Sequence, residues 1–209
     1  MTRQSLTLVA CTLFAVRPLA AEVDMVRLAG TPTEIGEIWG AANKAAIVRD
    51  MEVFYLKKAA DAAISEDALI ERSRKFLGIA REVAPHWLDE GRAIARAAGV
   101  REDLYRGFLA DAMRSLFLHE CTSYSVPRQY TLGNAILFHK TRDNRPTAQA
   151  AYILQSSLPG IHKFIAVCSA SRIDCCMMVN DQGLAGSADY PGGLRPPESN
   201  ERGLRQLTP

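Results

Sequence analysis

The chain is 209 residues long and 48% hydrophobic, enough for one domain with a substantial core, and nothing in its length requires two. Its 25 basic and 23 acidic residues leave a formal charge of only +2 and are scattered, without the basic block that marks a nucleic-acid surface. A nucleic-acid partner is therefore not expected.

At the N-terminus Arg3 precedes an apolar stretch from Leu6 to Val16, and the small residues Ala20 and Ala21 come before the charged Glu22 and Asp24. This is the pattern of a secretory signal peptide, assigned to residues 1–21, and it points to a periplasmic or secreted protein. The stretch is too short to cross a bilayer comfortably, so no membrane span is expected after signal removal. Leu8-Val9-Ala10-Cys11 offers a lipoprotein alternative, although it leaves almost no apolar region ahead of the cysteine.

Residues 22–120 read as a helical segment. Gly30-Thr31-Pro32 predicts a turn, with Thr33 capping a first helix whose apolar stripe runs through Ile35, Trp39, Ala42 and Ala46 and on through Val53, Phe54, Leu56 and Ala60, ending near Ala63. Gly36 and Gly40 are small enough to let another element come close. Ser65 followed by Asp67 opens a second helix through Phe76 and Ala80. Pro85 and Gly99 bracket a third that carries Trp87, Leu88, Ile94 and Ala97, and a fourth is expected from Arg101 to near Leu118.

At Cys121 the helical period gives way to β-rich runs at Thr122–Val126, Asn134–Phe138, Ala151–Leu154, Phe164–Val167 and Cys176–Val179. Residues 121–190 are thus read as the β-rich catalytic segment, and 191–209, rich in Pro, Gly and charge, as loop or tail. The expected class is α+β, with a helical N-terminal half followed by an antiparallel sheet. Cys168, Cys175 and Cys176 read as small apolar residues of buried strands, and their spacing fits no zinc pattern. No metal or cofactor is expected, and a disulfide from Cys168 to Cys175 or Cys176 is the alternative in an oxidising compartment.

The candidate chemistry lies where the pattern changes. Cys121 stands at the head of a strand in His119-Glu120-Cys121-Thr122-Ser123-Tyr124. A hairpin through Leu132-Gly133-Asn134 follows, then a second strand ending in His139-Lys140-Thr141-Arg142-Asp143, and later Val179-Asn180-Asp181-Gln182-Gly183-Leu184. A cysteine suits nucleophilic attack because its thiol is partly ionised near neutrality and strongly nucleophilic as thiolate. Most such cysteines are packing residues, and that reading stands beside the chemical one. His119 and His139 flank the position, so a Cys121–His139 pair is another route to an activated thiol.

Taken in order, these motifs resemble the acyl-coenzyme A:isopenicillin N acyltransferase-like family of N-terminal nucleophile (Ntn) hydrolases. The run Gly30–Gly36 is similar to the family's opening turn and helix, Glu90–Val100 to its middle helix, and Cys121–Tyr124 to its cleavage site. The stretch from Leu158–Ile165 to Asn180–Leu184 is similar to one of its strand pairs. The resemblance implies the αββα sandwich of Ntn hydrolases and self-cleavage between Glu120 and Cys121 into two chains that stay associated. It also implies acyl hydrolysis or transfer at a small-molecule amide through a Cys121 thioester, without a cofactor. Asp143 is implied to orient the amine or the substrate, with an exposed turn aspartate as the plain alternative. Ser123 and Tyr124 are implied near the pocket or the oxyanion, and Asn180 in a shaping turn or at the oxyanion. Family members run well past the length of this chain, and that portion supplies the asparagine that holds the oxyanion, so a fragment of a longer enzyme is expected. The rival expectation is a non-catalytic exported binding or interaction protein that keeps a truncated Ntn fold.

Overall fold

The computed structural model describes residues 25–115, 121–142 and 148–187. The signal peptide expected at 1–21, Glu120, Asp143 and the tail expected at 191–209 lie outside them. The described chain is α+β, with helices in the N-terminal half followed by a mixed sheet.

Its first element was not expected. Strand β1, Met25–Gly30, pairs in parallel with β4, Gln149–Ser156, in a register running from Met25↔Ala151 to Gly30↔Ser156. β5 (Phe164–Ser169), β6 (Met177–Asn180) and β7 (Ala185–Ser187) then add antiparallel to give the order β1-β4-β5-β6-β7. The expectation of an antiparallel sheet is corrected by β1. A parallel neighbour needs a long crossover, and everything between Gly30 and Gln149 supplies it.

The first helix, α1, spans Pro32–Ala42 and is capped at Thr31 rather than Thr33. The Glu34 N–H donates to Thr31 Oγ1 at 3.3 Å, while the Thr31 N–H donates to Glu34 Oε2 at 2.7 Å. Pro32 takes the first helical position, where a missing N–H costs nothing. The single long helix expected as far as Ala63 is instead segmented. The Asn43 side chain donates to the Trp39 carbonyl at 3.2 Å and competes with the backbone at that point. Helix α2 (Lys44–Arg49), a π-helical segment over Asp50–Leu56 and α3 (Lys57–Asp61) follow. Helix α4 (Glu66–Val83) is capped by Ser65, α5 (His86–Ala98) ends at Gly99 with φ 75°, and α6 covers Glu102–Ser115.

Helix α5 is the element that the two glycines admit. A Cβ on Gly36 would come within 2.8 Å of the Ala93 Cβ, and one on Gly40 within 2.5 Å of the Ile94 carbonyl oxygen. Together α1 and α5 cover one face of the sheet, and the core forms there from Leu28, Tyr152, Leu154, Phe164, Ala166 and Cys168 against Ile35, Trp39 and Ile94. Trp39 is fully buried, with its ring edge-on to Tyr152 at 5.3 Å. The opposite sheet face carries Ile153, Ile165, Val167 and Met177, which are only half-buried. A separate two-stranded sheet, β2 (Cys121–Val126) with β3 (Leu137–Arg142), completes the fold. β3 starts later than expected because Thr131 Oγ1 bonds both the N–H (3.1 Å) and the carbonyl (2.7 Å) of Ala135, which holds that residue in the loop.

Candidate functional site

Cys121 is the first residue of β2 and lies directly opposite Arg142 of β3. From there the pairs run Thr122↔Thr141, Ser123↔Lys140 and Tyr124↔His139. Side chains alternate along a strand, so Cys121, Ser123 and Lys140 share one face of the hairpin, while Thr122, Tyr124 and His139 share the other. Burial follows the same alternation. Cys121, Ser123, Phe138 and Lys140 are half-buried, whereas Thr122, Tyr124, His139 and Thr141 are exposed. The Cys121 face is therefore the covered one.

At Lys140 the covering surface is the five-stranded sheet. Lys140 meets Gln149, Val167, Cys168, Cys176 and Met177 around a cleft of about 190 Å³. Cys176 enters it through a local irregularity: its N–H donates to the Val167 carbonyl at 3.0 Å, although Met177 is the ladder partner of Val167. Two residues thus face one, the arrangement of a β-bulge, which re-aims side chains at a sheet margin.

The remaining site candidates are not gathered in one place. Tyr124 is turned to the outer face, where its ring stacks on His139 at 4.6 Å. A Cys121–His139 pair is not formed. His139 lies three positions along β3 from the residue opposite Cys121, roughly 10 Å away by strand rise and on the other face. Asn180 ends β6, and its Oδ1 accepts from the N–H of Gln182 at 3.1 Å and of Leu184 at 2.9 Å, while Gly183 adopts φ 80°. Its side-chain oxygen is thereby engaged in shaping the turn, as an Asn-x-x-Gly sequence favours. Glu120 and Asp143 lie outside the described residues. Asp143 directly follows Arg142, the cross-strand partner of Cys121.

The other thiols are set apart from Cys121. Cys168 is 1% exposed, and burial pushes its thiol well above the usual range. Burial likewise pushes the Cys175 thiol up to about 12, and the Tyr152 hydroxyl lies 3.2 Å from its sulfur. No disulfide joins Cys121, Cys168, Cys175 or Cys176, so the alternative of a Cys168 bridge is not realised. Among the described residues no three His, Cys, Asp or Glu side chains converge as a metal site, and no helix is long and apolar enough to cross a membrane. Lys140 and Gln149 were not singled out from the sequence. Only the hairpin register, counted at period two from Cys121, would have pointed to Lys140. No protein-family model matches the chain, and no curated protein matches it in sequence.

Proposed function

We propose that the chain is a self-processing cysteine hydrolase or acyltransferase of the Ntn class, related to the acyl-coenzyme A:isopenicillin N acyltransferase-like family and exported by its N-terminal segment. The observation that carries this reading is Cys121 at the head of β2, half-buried on the covered face of the hairpin that it shares with Lys140, which lines a cleft together with residues of the larger sheet. A hairpin that meets the larger sheet at Lys140, with helices over the other face of that sheet, supports the αββα sandwich this class requires.

In the uncleaved chain the Cys121 thiol attacks the Glu120 carbonyl carbon. The C–N bond breaks, the nitrogen takes the thiol proton, and the Glu120 acyl group passes to sulfur. Water then hydrolyses the thioester, leaving a Glu120 carboxylate and a Cys121 with a free α-amine. That amine, with an ordinary pKa of about 7.7 to 8.0, takes the thiol proton in the next cycle, so one residue supplies nucleophile and base. Attack on a substrate amide forms an acyl-Cys121 thioester and releases the amine, and water or a second amine then accepts the acyl group. Ser123, on the same face, contributes to the pocket, and Asp143 orients the amine. An oxyanion donor is worth a factor of roughly 100 to 1,000 in rate, and in this family an asparagine from further along the chain provides it.

Intact-mass measurement of the purified protein tests the reading. Two pieces meeting between Glu120 and Cys121 are expected, and Cys121→Ala keeps the chain whole. A wild-type chain that stays whole under all conditions refutes self-processing.

The second reading is a non-catalytic exported interaction module. It is favoured by exposed apolar side chains on the hairpin and the segment joining its strands, Tyr124, Tyr130, Leu132, Ile136 and Leu137. Stoichiometric labelling of Cys121 by an acylating probe, with competition by an amide, counts against it.

A further inference from the structure

The segment joining β2 to β3 turns its large apolar side chains outward. Leu132 is 111% exposed, as open as in an extended peptide, Tyr130 is 77% exposed, and Ile136 and Leu137 are exposed close by in the chain. Soluble proteins scatter such residues singly, and a cluster of them marks a contact surface. Hydrogen bonds, rather than burial of these side chains, set the shape of the segment. A single 3-10 turn covers Arg128–Tyr130, and Thr131 Oγ1 then donates to the Ala135 carbonyl at 2.7 Å and accepts from the Ala135 N–H at 3.1 Å. Within that loop Asn134 adopts φ 51°, and a Cβ on Gly133 would meet nothing within 4 Å.

Shape and charge narrow the partner. Every residue from Leu132 to Leu137 is exposed, so the apolar side chains stand on a projecting tip and line no groove. Such a tip lacks the well-packed pocket in which apolar contacts between proteins gain most, and it suits a fluid apolar phase that closes around it. From Thr122 to Arg142 the chain carries the cations Arg128, Lys140 and Arg142 and no Asp or Glu. Arg128 is exposed, two residues before Tyr130. This one-signed charge opposes the face-to-face pairing of two copies and attracts an anionic surface. Tyr130 adds a ring with a polar tip, which settles at a boundary between apolar phase and water.

We propose that the tip between β2 and β3 is a peripheral membrane-binding element, in which Tyr130, Leu132 and Ile136 enter the headgroup boundary of an anionic bilayer while Arg128 meets lipid phosphates. The chain then rests on the membrane surface without spanning it. The assignment asks nothing of Cys121 and holds for an active or an inactive chain.

Sedimentation of the full chain with lipid vesicles tests the proposal, using phosphatidylcholine alone and phosphatidylcholine mixed with phosphatidylglycerol. Binding to the mixed vesicles is expected, and it should fall as salt is raised from about 0.1 to about 1 M and the Debye length shrinks from about 10 to about 3 Å. Leu132→Asp combined with Ile136→Asp should weaken binding by roughly 100-fold, and Arg128→Gln by roughly fivefold, with circular dichroism confirming that each variant is folded. A Leu132→Trp chain reports insertion directly. Its fluorescence should shift to the blue when mixed vesicles are added, while the parent chain, whose Trp39 and Trp87 are buried, should not respond. A chain that sediments with neither vesicle, or equally with both, overturns the proposal. So does binding that the double aspartate variant leaves intact, as attachment through the apolar Leu6–Val16 stretch would. A dimer in gel filtration that the same variant dissolves, in a chain that ignores vesicles, replaces the bilayer by a second copy and overturns it too.

Discussion

Replacing Gly40 by alanine inserts one methyl group between α1 and α5, and the structure says where it would go. The new Cβ would lie 2.5 Å from the Ile94 carbonyl oxygen, 2.9 Å from the Ala97 Cβ and 3.0 Å from the Ile94 Cα, all rigid parts of α5. Ile94 is 1% exposed and Ala93, Ala95 and Ala98 are fully buried, so α5 cannot give way without disturbing the core that packs on the sheet. Overpacking of this kind costs typically 1–3 kcal/mol, and the backbone clash argues for the upper end. Alanine recovers about 1 kcal/mol of helix propensity, leaving a net loss of about 2 kcal/mol. For a chain of this size that is a fall in Tm of roughly 4–8 °C. Gly78 is the internal control, because it lies within α4 and a Cβ there meets nothing within 4 Å. Gly78→Ala should therefore gain about 0.5–1 kcal/mol and raise Tm by roughly 1–4 °C. Thermal melts of the two variants by circular dichroism at 222 nm make the comparison. A Gly40→Ala protein as stable as wild type, or two variants shifting in the same direction, would refute the packing argument.

The thiols should separate kinetically. Under native conditions iodoacetamide is expected to label Cys121, while Cys168 reacts only after unfolding and Cys175 slowly, because its raised pKa leaves little thiolate, and peptide mapping that finds Cys168 modified as fast as Cys121 would contradict its burial. Alkaline pH should weaken the fold. The folded Cys175 thiol titrates near 12 against 9 for an unperturbed thiol, so the folded state holds a proton that the unfolded state has lost, and stability falls as pH rises between those values. The slope is about 1.4 kcal/mol per pH unit for that group, and urea titrations from pH 8 to 11 should show Cys175→Ala flattening it.

Much of the helical half could be read from local chemistry. Ser65 caps α4, Gly99 ends α5 in the left-handed conformation, and Gly36 and Gly40 mark a close helix approach, because each of these follows from the residue's own conformational needs. β1 could not be read in this way. Met25-Val26-Arg27-Leu28-Ala29 is short and interrupted by a charge, and it becomes a strand only through β4, far along the chain. The break at Asn43 likewise depends on a side chain reaching back to Trp39, which apolar periodicity does not register. At the candidate site, Cys121 stood out because the pattern changes from helix to strand there. Which neighbours share its face was hidden, since one step of register exchanges Lys140 for His139.

β1 also bears on what a cut in the backbone would mean. It comes from the part of the chain before Cys121, and its ladder partner β4 from the part after, so the central sheet is stitched from both sides of the proposed cleavage point. Six residue pairs, from Met25↔Ala151 to Gly30↔Ser156, and the helical layer over them would hold the pieces together after hydrolysis. Once cut, however, the folded protein becomes a complex of two polypeptides, and its unfolding becomes an event of dissociation. Its melting temperature should then rise with protein concentration, as an uncut chain's would not, and denaturation should be hard to reverse on dilution. Self-processing would in this way turn an ordinary folding equilibrium into an assembly that forms readily only once, while the two parts are still one chain.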